Sequence, residues 1–281
     1  MISNRSGRSV TRLSFFGLPL LFLTLLLLIP TVSLQQQSHI LYVNTADPTC
    51  QGQVPCYSTI QAAVDAAQAG DSIRIQAGTY QEQVNISGKN NFTGAAEADR
   101  IVIEADPSAP VGSVVLTGAV SQCTNGYAIR LQMSKFITIR GITITGAGGQ
   151  AISLMGGNNQ NAAIHIERNR IFQNGSSECS GGITIARGNP NSLILNNQIF
   201  ANGRNGITFI DADGGPHYLI NNTIHGNAWS GVSVARTHQV HLVNNLITGN
   251  GTPPAPPGAA SGSSARTPPA PSPRGSRSRT T

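Results

Sequence analysis

A ten-residue pattern recurs between Phe136 and Asn250, each time with different sequence around it. Its clearest copies are Ile166–Gly175, Ile194–Gly203, Leu219–Ala228 and Leu242–Gly251, with a weaker one at Ile139–Gly148. Set one above another, they align two apolar columns. Ile139, Ile166, Ile194, Leu219 and Leu242 form the first; Ile144, Ile171, Ile199, Ile224 and Ile247 form the second. Two asparagine columns run beside them: Asn169, Asn197, Asn222 and Asn245, then Asn174, Asn202, Asn227 and Asn250. The first asparagine column recurs after 28, 25 and 23 residues. Self-similarity at such a period marks a chain that stacks short units on one another. Within each copy apolar and polar residues alternate and many are β-branched, which selects strands over helices.

A second strand follows each copy. Its apolar pairs are Ile129/Leu131, Ile152/Leu154, Ile183/Ile185, Ile207/Phe209 and Val232/Val234, several introduced by a glycine (Gly182, Gly206, Gly231). One strand per unit would suit a leucine-rich repeat or a propeller blade. Two or more strands per unit, with Asn at the bends, suit an all-β solenoid of the parallel β-helix type. Its coils would sit about 4.8 Å apart. The bend asparagines are expected to stack as amide ladders and to take the left-handed backbone that tight corners need.

Charge narrows the function. The formal net charge of +6 comes from the two ends. Arg5, Arg8 and Arg12 precede an apolar run, Arg266, Arg274, Arg277 and Arg279 lie near the C-terminus, and all 12 acidic residues fall between Asp47 and Asp213. The middle therefore carries 18 − 7 = 11 basic against 12 acidic residues. That removes the basic footprint of a nucleic-acid binder.

Residues 1–33 read as a basic start, an apolar run and small residues at Thr31-Val-Ser33, which together make a secretory signal. The run is also long enough to span a bilayer, so cleavage and retention as an N-terminal membrane anchor both fit. Either way the protein is expected outside the cytoplasm: secreted, periplasmic or at the cell surface. Residues 34–70 hold a short strand at His39–Val43, a cysteine-bracketed loop and one helix, Ser58–Gly70. Ser58 and Gln61 form a capping-box pair, Ile60, Ala63, Val64 and Ala67 share a face, and Gly70 suits the C-terminal cap. Such a helix would cover the open first coil. The four cysteines show no CxxC pair, and their even count with an export signal favours disulfides. Cys50 and Cys56 flank a short loop, which leaves Cys123 with Cys179; four free thiols is the alternative. Residues 71–251 carry the solenoid, about six to eight coils. Residues 252–281 contain eight Pro, four Arg and no acid, a composition that predicts a disordered tail. No cap is visible after the last Asn-rich unit. Either the tail tethers the domain, or a longer solenoid continues in another reading frame.

Tyr42-Val-Asn, Ser58-Thr-Ile-Gln-Ala-Ala-Val-Asp-Ala-Ala, Ala69-Gly-Asp-Ser-Ile and Ala77-Gly-Thr-Tyr-Gln-Glu resemble the opening of the pectin-lyase-like superfamily. The resemblance covers about residues 40–250 and implies a right-handed parallel β-helix with an N-terminal capping helix. The superfamily includes pectate and alginate lyases, polygalacturonases, pectin methylesterases, epimerases, tailspikes and proteins with no known reaction. It carries no particular activity here. Gly78-Thr-Tyr-Gln-Glu82 resembles a pectin methylesterase segment, but that family's catalytic Gln-Asp and Asp-Phe segments are missing. The Gly-His-Gly segment of polygalacturonases is missing too.

Aligning the glycine-led strands puts Arg187, Asp211 and Arg236 in one column, and Asn189, Asp213 and His238 in another two residues on. On adjacent coils Asp211 would lie between two guanidiniums. Asp211, Asp213, Arg236 and His238 are the candidate catalytic groups, and Arg187 a substrate-binding one. Calcium is the candidate cation, bridging carboxylates to a uronic acid. The plain alternative is a surface ion-pair ladder. Tyr218 and Trp229 are the candidate sugar-stacking aromatics. The expected partner is an acidic polysaccharide, handled by a monomer without nucleic acid. A catalytic protein of this kind would be a polysaccharide lyase, glycoside hydrolase or epimerase. The rival is a non-catalytic surface or adhesion module.

Overall fold

The computed structural model describes residues 38–119, 122–123, 125–155, 161–176 and 178–251. The apolar N-terminal run and the Pro-rich C-terminal stretch lie outside them. One apolar core runs through the described residues, from Leu41 to Ile224. Among the described residues no helix is long and apolar enough to cross a membrane.

The chain enters through β1 (Ile40–Val43), β2 (Cys56–Tyr57) and helix α1 (Ile60–Ala66). The first coil is β3 (Ser72–Ile75), β4 (Gly78–Gln81) and β5 (Val84–Ser87), and the second β6 (Ile101–Ala105), β7 (Val114–Thr117) and β8 (Ile129–Gln132). The third is β9 (Lys135–Arg140), β10 (Thr143–Thr145) and β11 (Ile152–Met155), the fourth β12 (Ala162–Glu167), β13 (Arg170–Phe172) and β14 (Ile183–Ala186). The fifth is β15 (Leu193–Leu195), β16 (Gln198–Phe200) and β17 (Ile207–Ile210), the sixth β18 (His217–Ile220), β19 (Thr223–His225) and β20 (Val232–Ala235). β21 (Val240–Val243) and β22 (Leu246–Thr248) begin a seventh. Successive coils pair in parallel, so the strands form three long sheets. Sheet A runs from β2, β1 and β3 to β21, sheet B from β4 to β22, and sheet C from β5 to β20.

Register follows the apolar columns. Ile73, Ile103, Ile139, Ile166, Ile194 and Leu219 stack in sheet A, and Tyr80, Leu116, Ile144, Ile171, Ile199 and Ile224 in sheet B. All of these are at most 2% exposed. The interior is thus a continuous rod of close-packed aliphatic side chains, the dominant favourable term for such a fold.

The asparagine columns form the expected ladders. Asn197 donates its backbone N–H and Nδ2 to Asn222 Oδ1, sends Nδ2 also to Ile166 O, and accepts two bonds from Asn169. The second column repeats this through Asn174, Asn202, Asn227 and Asn250. The left-handed backbone, however, is not on the ladder residue. It belongs to the residue before it: Arg168, Asn196, Asn221 and Asn244 at one bend, Gln173, Ala201, Gly226 and Gly249 at the other. That residue turns the corner, and the following Asn resumes with its side chain inward.

The helix is shorter than the sequence pattern suggests and is capped differently. Thr59, not Ser58, is the N-cap and accepts from Ala62 N–H. Gln61 turns instead to the backbone of Asn85. Glu82 supplies the missing acceptors, taking the N–H groups of Ile60 and Gln61 at 2.9 Å each. A carboxylate from the first coil thus satisfies two of the helix's orphan donors. The helix ends at Ala66 because Ala67 is already extended; Gly70 lies beyond and is not the cap. Both disulfides pair as expected, Cys50–Cys56 and Cys123–Cys179. The second joins the B-to-C connection of the second coil to that of the fourth.

Candidate functional site

The outer face of sheet C carries a single formal charge, at Arg130. Its outward column runs Arg130, Ser153, Thr184, Thr208 and Ser233, a row of hydroxyls after one guanidinium. Ser153 and Thr184 are buried, while Thr208 and Ser233 are half-buried. Each strand is four residues long, about 13 Å. Of the candidate residues found from sequence, all but Tyr218 sit at the two borders of this face.

At the border where sheet C passes to sheet A, Arg187, Asp211 and Arg236 follow β14, β17 and β20 and share one backbone state, with φ of 57°, 51° and 47°. The residue next in sequence is buried each time (Gly188, Ala212) or half-buried (Thr237), so the corner side chain is thrown outward. Arg236 clamps Asp211 with Nε at 2.6 Å from Oδ1 and Nη2 at 3.0 Å from Oδ2. This bidentate fork holds the Asp211 carboxyl below its usual range, with the Arg187 charge as a smaller cause. Of the two arginines in the column, Arg236 alone bonds Asp211. Asp213 Oδ1 accepts from His238 Nδ1 at 2.9 Å and from its backbone N–H at 3.1 Å, and these bonds lower its pKa. Both pairs are open to solvent. Asn189 has left the surface: it is fully buried and bonds Asn161 and the carbonyls of Leu154 and Ala186.

The opposite border, where sheet B passes to sheet C, carries Trp229. Its indole is half-exposed and lies 4.3 Å from the Arg204 guanidinium, a cation–π pair. Tyr218 lies elsewhere, on the outer face of sheet A, stacked on His241 at 5.1 Å. The two aromatics do not form one platform.

A carboxylate between two guanidiniums does exist, at a place the sequence reading passed over. Arg74, Glu104, Arg140 and Glu167 are register partners on the outer face of sheet A. Glu104 is buried, 2.6 Å from Arg140 and 3.6 Å from Arg74. The signal was present, since each of these residues directly follows an apolar column residue: Ile73, Ile103, Ile139 and Ile166. All of Glu104's charge is answered by its neighbours, which marks a structural brace.

Calcium does not fit the Asp211–Asp213 corner. Both carboxylates are already bonded to cationic partners, and among the described residues no three His, Cys, Asp or Glu side chains converge. Neither carboxyl is pushed upward, so neither is prepared to donate a proton near neutrality.

The sequence matches the family profile of the right-handed β-helix region over residues 68–217 and 111–265, and the chain belongs to that family. Among solved structures, pectate lyase Pel9A aligns with a TM-score of 0.58 at 18% identity, over 80% of this chain and 57% of that one. An alginate lyase from Paenibacillus sp. str. FPU-7 gives 0.59 at 18% identity, over 77% of this chain and 69% of the other. A lacto-N-biosidase from Eubacterium ramulus gives 0.52 at 12% identity, over 70% and 42%. At these identities the likeness is one of fold, and the chain spans 57% of the pectate lyase's length. Comparison with curated proteins finds no match.

Proposed function

We propose that this chain is an exported β-helix protein that binds an acidic polysaccharide across the outer face of sheet C. The observation that carries the reading is the framing of one surface by two unlike borders. Trp229 with Arg204 stands before β20, and Arg236 with Asp211 follows it, with Thr208 and Ser233 between them. An indole offers a flat apolar face for a sugar ring. Hydroxyls offer exchangeable bonds, and Arg187 offers a guanidinium to a uronic acid carboxylate. Solved β-helices of this fold include a pectate lyase and an alginate lyase, which supports a polyuronide as the partner class. The two disulfides support an oxidising compartment outside the cytoplasm.

Between binding with turnover and binding alone, one observation favours the second. Both corner carboxylates are held ionised by fixed partners, so the acid–base division of labour required for glycoside cleavage is missing there. The test is titration of the protein with polygalacturonate, alginate and a neutral glucan, alongside absorbance of unsaturated sugar ends. Salt-sensitive binding to the polyuronides without new ends is expected. Equal affinity for the neutral glucan, or no binding at all, would remove the proposal; new unsaturated ends would replace it with a lyase.

A further inference from the structure

We infer that the cavity beside the loop 106–113 is a binding site for one neutral sugar ring, separate from the face of sheet C. Val43, Ile75 and Ala105 are register partners at the end of sheet A. Asn44, Gln76 and Asp106, which follow them, therefore stack along the border where sheet A passes to sheet B. The polar column is continuous over its first step, where Asn44 Nδ2 donates to Gln76 Oε1 at 2.6 Å. At the next step it breaks. Gln76 Nε2 turns to Gln53 Oε1 at 2.8 Å and makes no bond to Asp106. These four residues line a cavity of about 260 Å³, together with Ala109 and Pro110.

Asp106 is only 9% exposed. Its Oδ1 accepts from Ser108 twice, from N–H at 2.8 Å and from Oγ at 2.6 Å, while Oδ2 has no partner among the described residues. A carboxylate oxygen so far from solvent is costly until something donates to it. Gln53 supplies the opposite chemistry. Its Oε1 is occupied by Gln76, and its Nε2 has no partner among the described residues. A free acceptor and a free donor in one small cavity match neighbouring sugar hydroxyls, each of which both donates and accepts. Other ligand classes fit less well. No Lys, Arg or His lines the cavity, so a uronate or a phosphate would meet the Asp106 charge with nothing to offset it. One carboxylate falls short of the oxygen set that calcium takes. The volume lies below the range of about 300–1,000 Å³ usual for larger ligands, which suits one ring rather than a stretch of chain. The walls are set in advance. The Cys50–Cys56 disulfide closes the loop that carries Gln53, and Tyr80 Oη donates to Gln76 O at 2.9 Å. Ala109 N–H and Ser113 N–H fold the other loop onto Asp106 O and Pro110 O. Little ordering is left for the ligand to impose.

Saturation-transfer NMR tests this on the full chain, with methyl glucoside, methyl galactoside and methyl mannoside as probes. At least one of the three is expected to bind. Asp106→Asn keeps an acceptor for Ser108 but places a donor where Oδ2 stood, and should weaken that binding at least about ten-fold, as for a lost hydrogen bond to a charged group. Gln53→Ala, at an exposed position, should weaken it about five-fold and serves alone should the first variant unfold. Neither substitution should change a titration with polygalacturonate, whatever the parent shows. Failure of all three glycosides to bind the parent, an affinity that survives both substitutions, or polygalacturonate binding that falls with them overturns the inference.

Discussion

Asn222 Oδ1 accepts two bonds from Asn197, the backbone N–H at 2.9 Å and the side-chain Nδ2 at 3.0 Å. One amide therefore joins two coils twice, and both residues are 1% exposed. Replacing Asn197 by Ala strands the Ile166 carbonyl and the Asn169 donors in a dry interior. The expected loss is about 2–4 kcal/mol, the range for breaking a buried polar network. Asn196→Ala, one residue earlier and exposed, removes no rung and should cost about 1 kcal/mol through its left-handed backbone alone. Urea denaturation of the two variants checks the ordering, and equal losses would contradict the ladder account.

Gly206 opens the strand before Ile207 with almost no room around it. A Cβ there would lie 2.6 Å from the Gly231 carbonyl oxygen and 2.8 Å from Ile224 Cγ2. Backbone and core would both have to yield, so Gly206→Ala should cost about 1–3 kcal/mol, as overpacking does. Gly88→Ala, with open space around its Cβ position, is the contrast, although its positive φ of 71° carries a smaller penalty. Thermal melts compare the two.

His217 faces the interior, fully buried against Phe209. Its Nε2 lies 2.6 Å from the Ala212 carbonyl, so that nitrogen holds the proton, and Nδ1 is buried with no partner. Burial pushes the imidazole pKa below its ordinary value. The unfolded chain then binds a proton that the folded one refuses. Its contribution to stability is complete above the unfolded imidazole pKa and falls as pH drops through that range toward the lower folded value. Unfolding free energy measured between about pH 7.5 and pH 5 should decline with acid, and His217→Gln should flatten that part of the slope. A variant with an unchanged slope would assign the effect to other groups.

If sheet C binds a polyuronide, its borders should contribute unequally. Trp229→Ala is expected to weaken binding about ten-fold at any salt concentration, since stacking is short-ranged. Arg187→Ala should cost a similar factor at low salt and little at high salt. Asp211→Ala frees Arg236 from its clamp and should strengthen binding of the anionic polymer. Titrations at two salt concentrations separate these cases.

The columns of Ile and Asn were legible because each occupies one position in a repeat of nearly constant length. The charged brace was not. Arg74, Glu104 and Arg140 are 30 and 36 residues apart, since the first coil carries a long connection after Ser87 and the second after Ala105 and Thr117. Without a constant period, only the three-dimensional register reveals that they are neighbours. The Asp211 corner was found for the opposite reason, with 25 residues to Arg236 and no insertion between. Alignment still did not separate outward from inward: Asn189 shares a column with Asp213 and His238 but points the other way. The cap of α1 was hidden because Glu82 reaches it from 21 and 22 residues downstream, and local rules consider only the first helical turn.

From the third coil on, the two bends that flank sheet B repeat one alternation, a left-handed residue at the surface followed by an inward one, as in Asn196 and Asn197 or Gln173 and Asn174. The exposed member is Arg, Asn, Gln, Ala or Gly without change to the coil. Its position works as a graduation on a ruler whose divisions are the coil pitch, about 4.8 Å. Groups mounted on this scale move only by whole divisions. A polymer whose own repeat is a multiple of that step can meet a line of them at once, and one out of step meets a single group. Selectivity along the rod is then a matter of commensurate lengths, set before any particular side chain is chosen.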